Sequence, residues 1–262
     1  MFKIMNGCII QARTGSTRFP NKILNDIDDE HTVLEFLIKQ LKNSERIDKI
    51  VIATTRSSKD EKIIELCKNL NLDFFQGDEN DLVDRYYKCA KKFNLENIIR
   101  ITSDCPLVDP NLVDNGIKKF VEEECDYLTN STGKFPHGVD FSIFTFNILE
   151  KTWKNARLLS EKEHVIPYME KKENNFNTIF LKNESDQSKF RITLDWPEDL
   201  ELLRILVSKI KSRPILVNDV TSYLENNLNL LKINEGHVKE EGYLKSLKND
   251  KISDKRMVDS NE

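Results

Sequence analysis

Through its first hundred residues the chain alternates two patterns, and that alternation decides what it can fold into. Short apolar runs rich in β-branched residues (GCIIQA, KIVIATT, LDFFQ, NIIRITSD) are separated by stretches with apolar residues at helical spacing (TVLEFLIKQLKN, KDEKIIELCKNL, DLVDRYYKCAKKF). Such an order reads as βαβ units feeding a largely parallel sheet with helices on its faces. Sheets of this kind take ligands beyond the carboxyl ends of their strands. The residues that follow each apolar run are therefore the candidates for chemistry, and here they are strongly polar.

The second half is less regular. DYLTN and FSIFTF read as strands, Phe146 to Asn155 and His164 to Lys171 as helices, and NTIFL with FRITLD as a further strand pair. After Asp195, WPEDLELLRILVSKI has proline in its first turn and acids beside it, as a helix start requires. No internal repeat or flexible linker interrupts the chain, so one domain over residues 1–232 is expected. The stretch 233–262 is charged and poor in core residues; it is expected to be partly helical, then disordered, a solvated end without a role.

With 262 residues, 39% of them hydrophobic, the chain can bury a substantial core. Its 40 basic and 44 acidic residues leave a formal charge of -4, without the positive field of a general nucleic-acid binder, so any anion must be gripped locally. No apolar run approaches the ~20 residues of a membrane helix, and the apolar start is short for a signal peptide. A cytoplasmic protein with neither membrane nor nucleic-acid partner is expected. Cys8, Cys67, Cys89, Cys105 and Cys125 fall singly, without CxxC pairs or histidines at zinc spacing, and read as reduced and buried. Cys105 lies inside SDCP, but nothing near it in sequence supplies a base to form a thiolate.

The stretch CIIQARTGSTRFPNKIL joins the first strand to a polar loop in which Arg13, Arg18 and Lys22 fall within ten residues, around Gly15, Ser16 and Thr17. Loop amides with clustered guanidinium and ammonium groups suit a polyphosphate. The loop is neither GxxxxGK[ST] nor GxGxxG, which disfavours a P-loop NTPase and an ordinary dinucleotide enzyme. The plain alternative is a solvated surface turn; placement directly after the first strand favours function. RITSDCPLVDP and RITLDWPEDL each carry an aspartate, Asp104 and Asp195, where an apolar run ends before a proline. Two such carboxylates can share one Mg²⁺, which commonly takes one or two carboxylates and completes its octahedron with water and phosphate. Each alone could instead cap a helix, as Asp109 before Pro110 is expected to do.

Taken in order, IIQARTGSTRFPNKIL, GDENDLVDRYYKCA, RITSDCPLVDP, FPHGVD, SEKEHVIPYM and RITLDWPEDLELL resemble the spore-coat-polysaccharide cytidylyltransferase-like family, related to the CMP-Kdo and CMP-sialic acid synthetases, over roughly residues 6 to 248. The resemblance implies a Rossmann-like, three-layer nucleotidyltransferase fold with a mostly parallel mixed sheet. It implies a Mg²⁺-dependent reaction in which CTP and a small-molecule acceptor give a CMP-linked product and pyrophosphate. Carried over by position, Gln11, Ala12, Arg13, Gly15, Ser16, Arg18 and Lys22 would hold the nucleotide, with Asp104 and Arg85. Arg13, Lys22, Asp104 and Asp195 would carry the chemistry, and Asp104 and Asp195 the metal. His137, Gly138, Asp140, Glu163 and His164 would line the acceptor pocket. SDCP departs from the GDEP-like form of the better-known synthetases, keeping the aspartate and proline. Asp81 in GDENDLVDRY reads equally as a helix-start acid. Relatives of this kind pair, so a homodimer is expected, although no hydrophobic seam marks it.

The acceptor expected from the resemblance is a sugar acid, for surface polysaccharide or glycan synthesis. A phosphorylated polyol or small phosphate metabolite is the alternative, with Arg157 and Arg191 then pairing with its phosphate. A nucleotide-sugar-dependent glycosyltransferase would want a DxD at a strand end, whereas the only one here, Asp26 to Asp28, sits in NDIDDE after the loop. A non-catalytic nucleotide binder would be expected to lack one of the paired aspartates, and neither is missing.

Overall fold

β1 (Asn6–Gln11) buries Cys8, Ile9 and Ile10 completely, because helices cover both faces of the sheet that grows from it. The computed structural model describes residues 4–237 and 241–259. After β1 come α1 (Val33–Leu41), β2 (Lys49–Thr55), α2 (Glu61–Asn69), β3 (Asp73–Gly77), α3 (Leu82–Lys92), β4 (Asn97–Thr102) and α4 (Pro110–Glu122). The second half holds β5 (Tyr127–Thr129), β6 (Phe141–Thr145), α5 (Phe146–Asn155), α6 (Leu159–His164), α7 (Ile166–Met169), β7 (Thr178–Phe180), α8 (Pro197–Lys209), α9 (Val217–Glu225) and α10 (Glu241–Asp259).

The strands form one sheet in the order β3-β2-β1-β4-β6-β5-β7. The first four of these run parallel, β6 is antiparallel to β4 and β5, and β7 is parallel to β5. Alternation along each strand separates two cores. Cys8, Ile10, Ile52, Ile99 and Ile101 meet α1, α2 and α4, while Ile9, Val51 and Ile98 meet α3 and α5. This is the expected three-layer α/β architecture with a mixed sheet. At the start of α1 the Thr32 hydroxyl accepts from the Glu35 N–H while Glu35 Oε2 accepts from the Thr32 N–H. Among the described residues no helix is long and apolar enough to cross a membrane.

Three expectations change. FRITLD is not half of a strand pair: β7 lies against β5, and among the described residues the 190–195 segment joins no strand ladder, forming an isolated bridge between Arg191 and His137. Phe190, Ile192 and Leu194 are nonetheless fully buried, in a third core shared with α8 and α9. The helix expected from His164 to Lys171 breaks at Val165, whose φ of 69° cannot continue a helix, and its first half begins earlier, at Leu159. The C-terminal stretch is a docked helix over residues 241–250. Ser246 Oγ donates to Glu163 Oε2 at 2.6 Å, and Asp250 Oδ1 accepts from the Ser160 N–H at 3.1 Å. Residues 260–262, part of the end expected to be disordered, lie outside the described residues.

Candidate active site

The polar loop leaves β1 after Ala12, whose N–H donates to the Ala53 carbonyl at 3.1 Å. Thr14 then fixes its start. Both the Thr14 N–H and its hydroxyl donate to Asp60 Oδ1 at 2.7 Å, and the Thr55 hydroxyl donates to Asp60 Oδ2 at 2.5 Å. Burial alone would raise the Asp60 carboxyl, but the hydroxyls of Thr55 and Thr14 and the backbone N–H groups overrule it and hold it below the ordinary range. Asp60→Asn is expected to cost about 1–3 kcal/mol at neutral pH by leaving this buried cluster short of an acceptor. Because the folded carboxyl is depressed, its stabilisation is complete above the unfolded pKa near 4 and is lost as pH falls through the lower folded value. Urea denaturation of both proteins should show a gap in stability at pH 7 that narrows toward pH 3; a pH-independent gap would contradict this role for the charge.

Downstream, the Ser16 and Asn21 N–H groups both donate to the Thr14 carbonyl, which folds the loop back on itself. Arg13 and Gly15 are exposed at its rim; an added Cβ at Gly15 would meet only Glu79 Oε1, at 3.8 Å. Ser16 Oγ accepts from the Phe19 N–H at 3.3 Å. Gln11 Oε1, at the end of β1, accepts from the Tyr86 hydroxyl at 3.1 Å.

Lys22 is the hinge of the arrangement. It is buried, and its Nζ donates to Asp104 Oδ2 at 3.0 Å, Asp195 Oδ1 at 2.9 Å and the Leu194 carbonyl at 2.6 Å. Burial alone would lower the Lys22 ammonium, but the charges of Asp104 and Asp195 reverse that and raise it. Burial would likewise raise the Asp104 carboxyl; the Lys22 charge and hydrogen bonds with Thr102 and Lys22 hold it well below the usual carboxylate range. Arg18 NH2 donates to Asp195 Oδ1 at 2.5 Å, and its NH1 lies 3.2 Å from Glu241 of α10. The Arg18 guanidinium also stands over the Trp196 ring, whose other neighbour is the stacked His237 ring.

Asp195 is free for this arrangement because it is not the cap of α8. Asp199, fully buried, does that work: its Oδ2 accepts from the Asp195 N–H at 2.8 Å and the Trp196 N–H at 3.0 Å. Asp199 is held in turn by two hydrogen bonds from Arg191 and one from Asn234. Asp109, by contrast, is a cap as expected, accepting from the Asn111 and Leu112 N–H groups. Asp104 lies two residues beyond the end of β4, and its carbonyl accepts from the Leu194 N–H at 2.8 Å, which ties the two acidic turns together.

A divalent metal fits this geometry. Two carboxylates already converge on one cation, the Lys22 ammonium, and both offer the hard oxygen donors that Mg²⁺ prefers. Among the described residues no group of three or more metal-ligating side chains gathers, so the remaining ligands would have to be water and phosphate.

The other expected site residues are placed less directly. Arg85 is buried, with Nε and NH2 donating to the Asp78 and Glu79 carbonyls; it shapes the GDEN turn, and a Cβ on Gly77 would meet its Cγ at 2.6 Å. Asp81 caps α3 by accepting from the Asp84 N–H and pairs with Lys162. Gly138 has a φ of 115° and lies so close to the 190–194 segment that a Cβ would come within 2.4 Å of the Thr193 nitrogen. With His137, whose backbone bonds Phe190 and Ile192, and Asp140 Oδ2, which accepts from the Gly138 N–H, it braces the approach to Asp195. Glu163 and His164 both meet Ser246 of α10, and the His164 imidazole is held toward its neutral form chiefly by burial. Asp28 of the DxD is occupied by the Glu30 and His31 N–H groups and the His31 ring. All five cysteines are free and buried, and burial pushes the Cys105 thiol well above its ordinary value, as expected of a residue that is not a nucleophile. Asp60 and Asn234 fall in no motif; Asp60 bonds Thr14 and Asn234 bonds Arg191 and Asp199, partners far along the chain.

A family model described as Cytidylyltransferase matches residues 7–235. An uncharacterised protein of Methanocaldococcus jannaschii is 35% identical over 90% of this chain and 96% of its own length. The spore coat polysaccharide biosynthesis protein SpsF of Bacillus subtilis is 29% identical over 84% of this chain and 93% of its own. Among solved structures, a cytidylyltransferase from Leptospira borgpetersenii superposes with a TM-score of 0.85 at 35% identity, over 90% of this chain and all of that one.

Proposed function

The chain belongs to the cytidylyltransferase family and is a nucleotidyltransferase; from that premise we propose that it transfers CMP from CTP to a sugar acid, with Mg²⁺ as cofactor, for surface polysaccharide or glycan synthesis. The observation that carries the reading is the meeting of Asp104 and Asp195 on one cation, beside a loop holding Arg13, Arg18 and Lys22. When bound, Mg²⁺ would be held by Asp104 and Asp195 and would neutralise charge during the transfer.

An acceptor oxygen forms its bond to the α-phosphorus as the bond to the bridging oxygen breaks. The electron pair leaves with pyrophosphate, and the acceptor proton passes to water. Lys22 and Arg18, whose donors now rest on carboxylates, are the groups that turn to phosphate oxygens and stabilise the charge building on the leaving group. The loop that carries them is set by the Thr14–Asp60 anchor. No covalent nucleophile is required.

The sugar-acid reading of the acceptor rests on the six motifs, and SpsF supports the polysaccharide role alone. Its phosphate-bearing alternative loses the two arginines expected to serve it, since Arg191 is committed to Asp199 and Asp195, and Arg157 NH1 donates to the Ala156 carbonyl. Incubation with each of the four nucleoside triphosphates and a panel of sugar acids is expected to release pyrophosphate with CTP, to yield a CMP adduct by mass spectrometry, and to stop on adding a chelator. Failure of CTP to react with any acceptor, or turnover that survives the chelator, would overturn the reading.

A further inference from the structure

Arg100 is a charge in the middle of a buried strand. Along β4, Ile99 and Ile101 face the core with α1 and α4, so Ile98, Arg100 and Thr102 face the side covered by α3 and α5. On that face the rung of Ile98, Phe144 and Tyr127 is apolar, whereas the next is polar, with Arg100 beside Ser142 and Ser142 beside Thr129. Gln11 and Thr102 follow, side by side. The neighbours of Arg100 satisfy one another: the Ser142 hydroxyl donates to Thr129 Oγ1, Thr129 to the Phe141 carbonyl, and Tyr86 to Gln11. Arg100 does not share in this. Its Nε is shielded from solvent and has no acceptor, and among the described residues no oxygen pairs with its guanidinium.

Holding a partly buried guanidinium without an acceptor costs stability, and native structures leave few such donors unmet. Arg13, exposed at the rim, likewise has no ion pair among the described residues, and the His164 imidazole, held toward its neutral form by burial, feels both arginines as well as the Glu163 and Asp250 carboxylates. Along its face of β4, Arg100 stands one position before Thr102, the last residue of the strand, and so just ahead of the turn that carries Asp104. The planar guanidinium suits an oxyanion that can accept two parallel hydrogen bonds. The triphosphate already has Arg18 and Lys22, whose donors rest on the acidic pair.

Resting on the cytidylyltransferase reading, we propose that Arg100, with Arg13 at the rim, forms the oxyanion subsite that receives the charged group of the acceptor. That group is a carboxylate or a phosphate ester, two sources of one chemistry. The test measures calorimetric binding of two matched pairs, 3-deoxy-manno-octulosonate against its methyl ester and erythritol 4-phosphate against erythritol, to the wild type, Arg100→Gln and Arg100→Lys. The wild type should prefer the anion by about 10- to 100-fold in one pair, which identifies the source. Arg100→Gln should lose that preference, Arg100→Lys should keep part of it, and CTP affinity should be equal in all three. Since nothing in the fold accepts from Arg100, the melting temperature of Arg100→Gln should not fall. A preference retained in Arg100→Gln, no preference in the wild type for either anion, or marked destabilisation of the variant would overturn the proposal. Loss of CTP binding by the wild type would instead remove the nucleotide reading, while the anion preference is still measured without nucleotide.

Discussion

Asp104→Asn and Asp195→Asn are each expected to lower turnover by about 10³-fold, on the scale seen when one preorganised charge is removed from a transferring phosphoryl group. Asparagine keeps the shape and one acceptor oxygen of each side chain. Lys22 Nζ would retain its bond to the Leu194 carbonyl and to the other aspartate, so the fold should survive with a melting temperature close to that of the wild type. Steady-state pyrophosphate release with CTP, alongside thermal unfolding, separates chemistry from folding. Full activity in Asp195→Asn would reduce Asp195 to a support for Arg18 and Lys22.

Lys22→Met should act on both sides of the site at once. It removes a donor to phosphate, for which CTP affinity should fall by about 10- to 100-fold. It also leaves two carboxylates facing each other without the buried cation that neutralises them, at a cost of about 3 kcal/mol. The same loss opens the carboxylates to another cation. Millimolar Mg²⁺ without nucleotide should therefore raise the melting temperature of Lys22→Met more than that of the wild type, where the ammonium competes for the same oxygens. Equal shifts in the two proteins would mean that Asp104 and Asp195 do not share a cation.

Much of this site is legible because its residues stand where an alternating pattern ends. The polar loop after GCIIQA and the acid in SDCP can be located from strand period and proline position alone, and the structure brings both to one place through Lys22. FRITLD shows the limit. Its alternating Phe190, Ile192 and Leu194 report burial, and burial is real, but the segment meets α8 and α9 instead of a strand ladder. Periodicity measures which face is dry and says nothing of where the N–H groups go. The break at Val165 had a signal in Pro167, which has no N–H to give the carbonyl of Glu163 and so suits the first turn of a new helix.

The supporting residues were hidden for another reason. Asp60 reads as an ordinary acid ahead of a helix, yet its partner Thr14 is 46 residues away. Asp199 reads as a first-turn acid and is one, but it also binds Arg191, which the phosphate-bearing alternative acceptor would need. Arg100 was visible as the one charge inside NIIRIT, a strand with both faces covered. What could not be read is that it lacks a partner, since that depends on Ser142 and Thr129 satisfying each other.

The central claim is that two acidic turns, distant in sequence, hold one divalent ion opposite the basic loop. Diffraction at the manganese absorption edge from crystals grown with CTP and Mn²⁺ tests it most directly. An anomalous peak coordinated by carboxylate oxygens of both Asp104 and Asp195, with the Lys22 ammonium turned to phosphate, is the predicted result. A peak that touches only one of them, or a triphosphate bound with Lys22 still seated between the carboxylates, would contradict it.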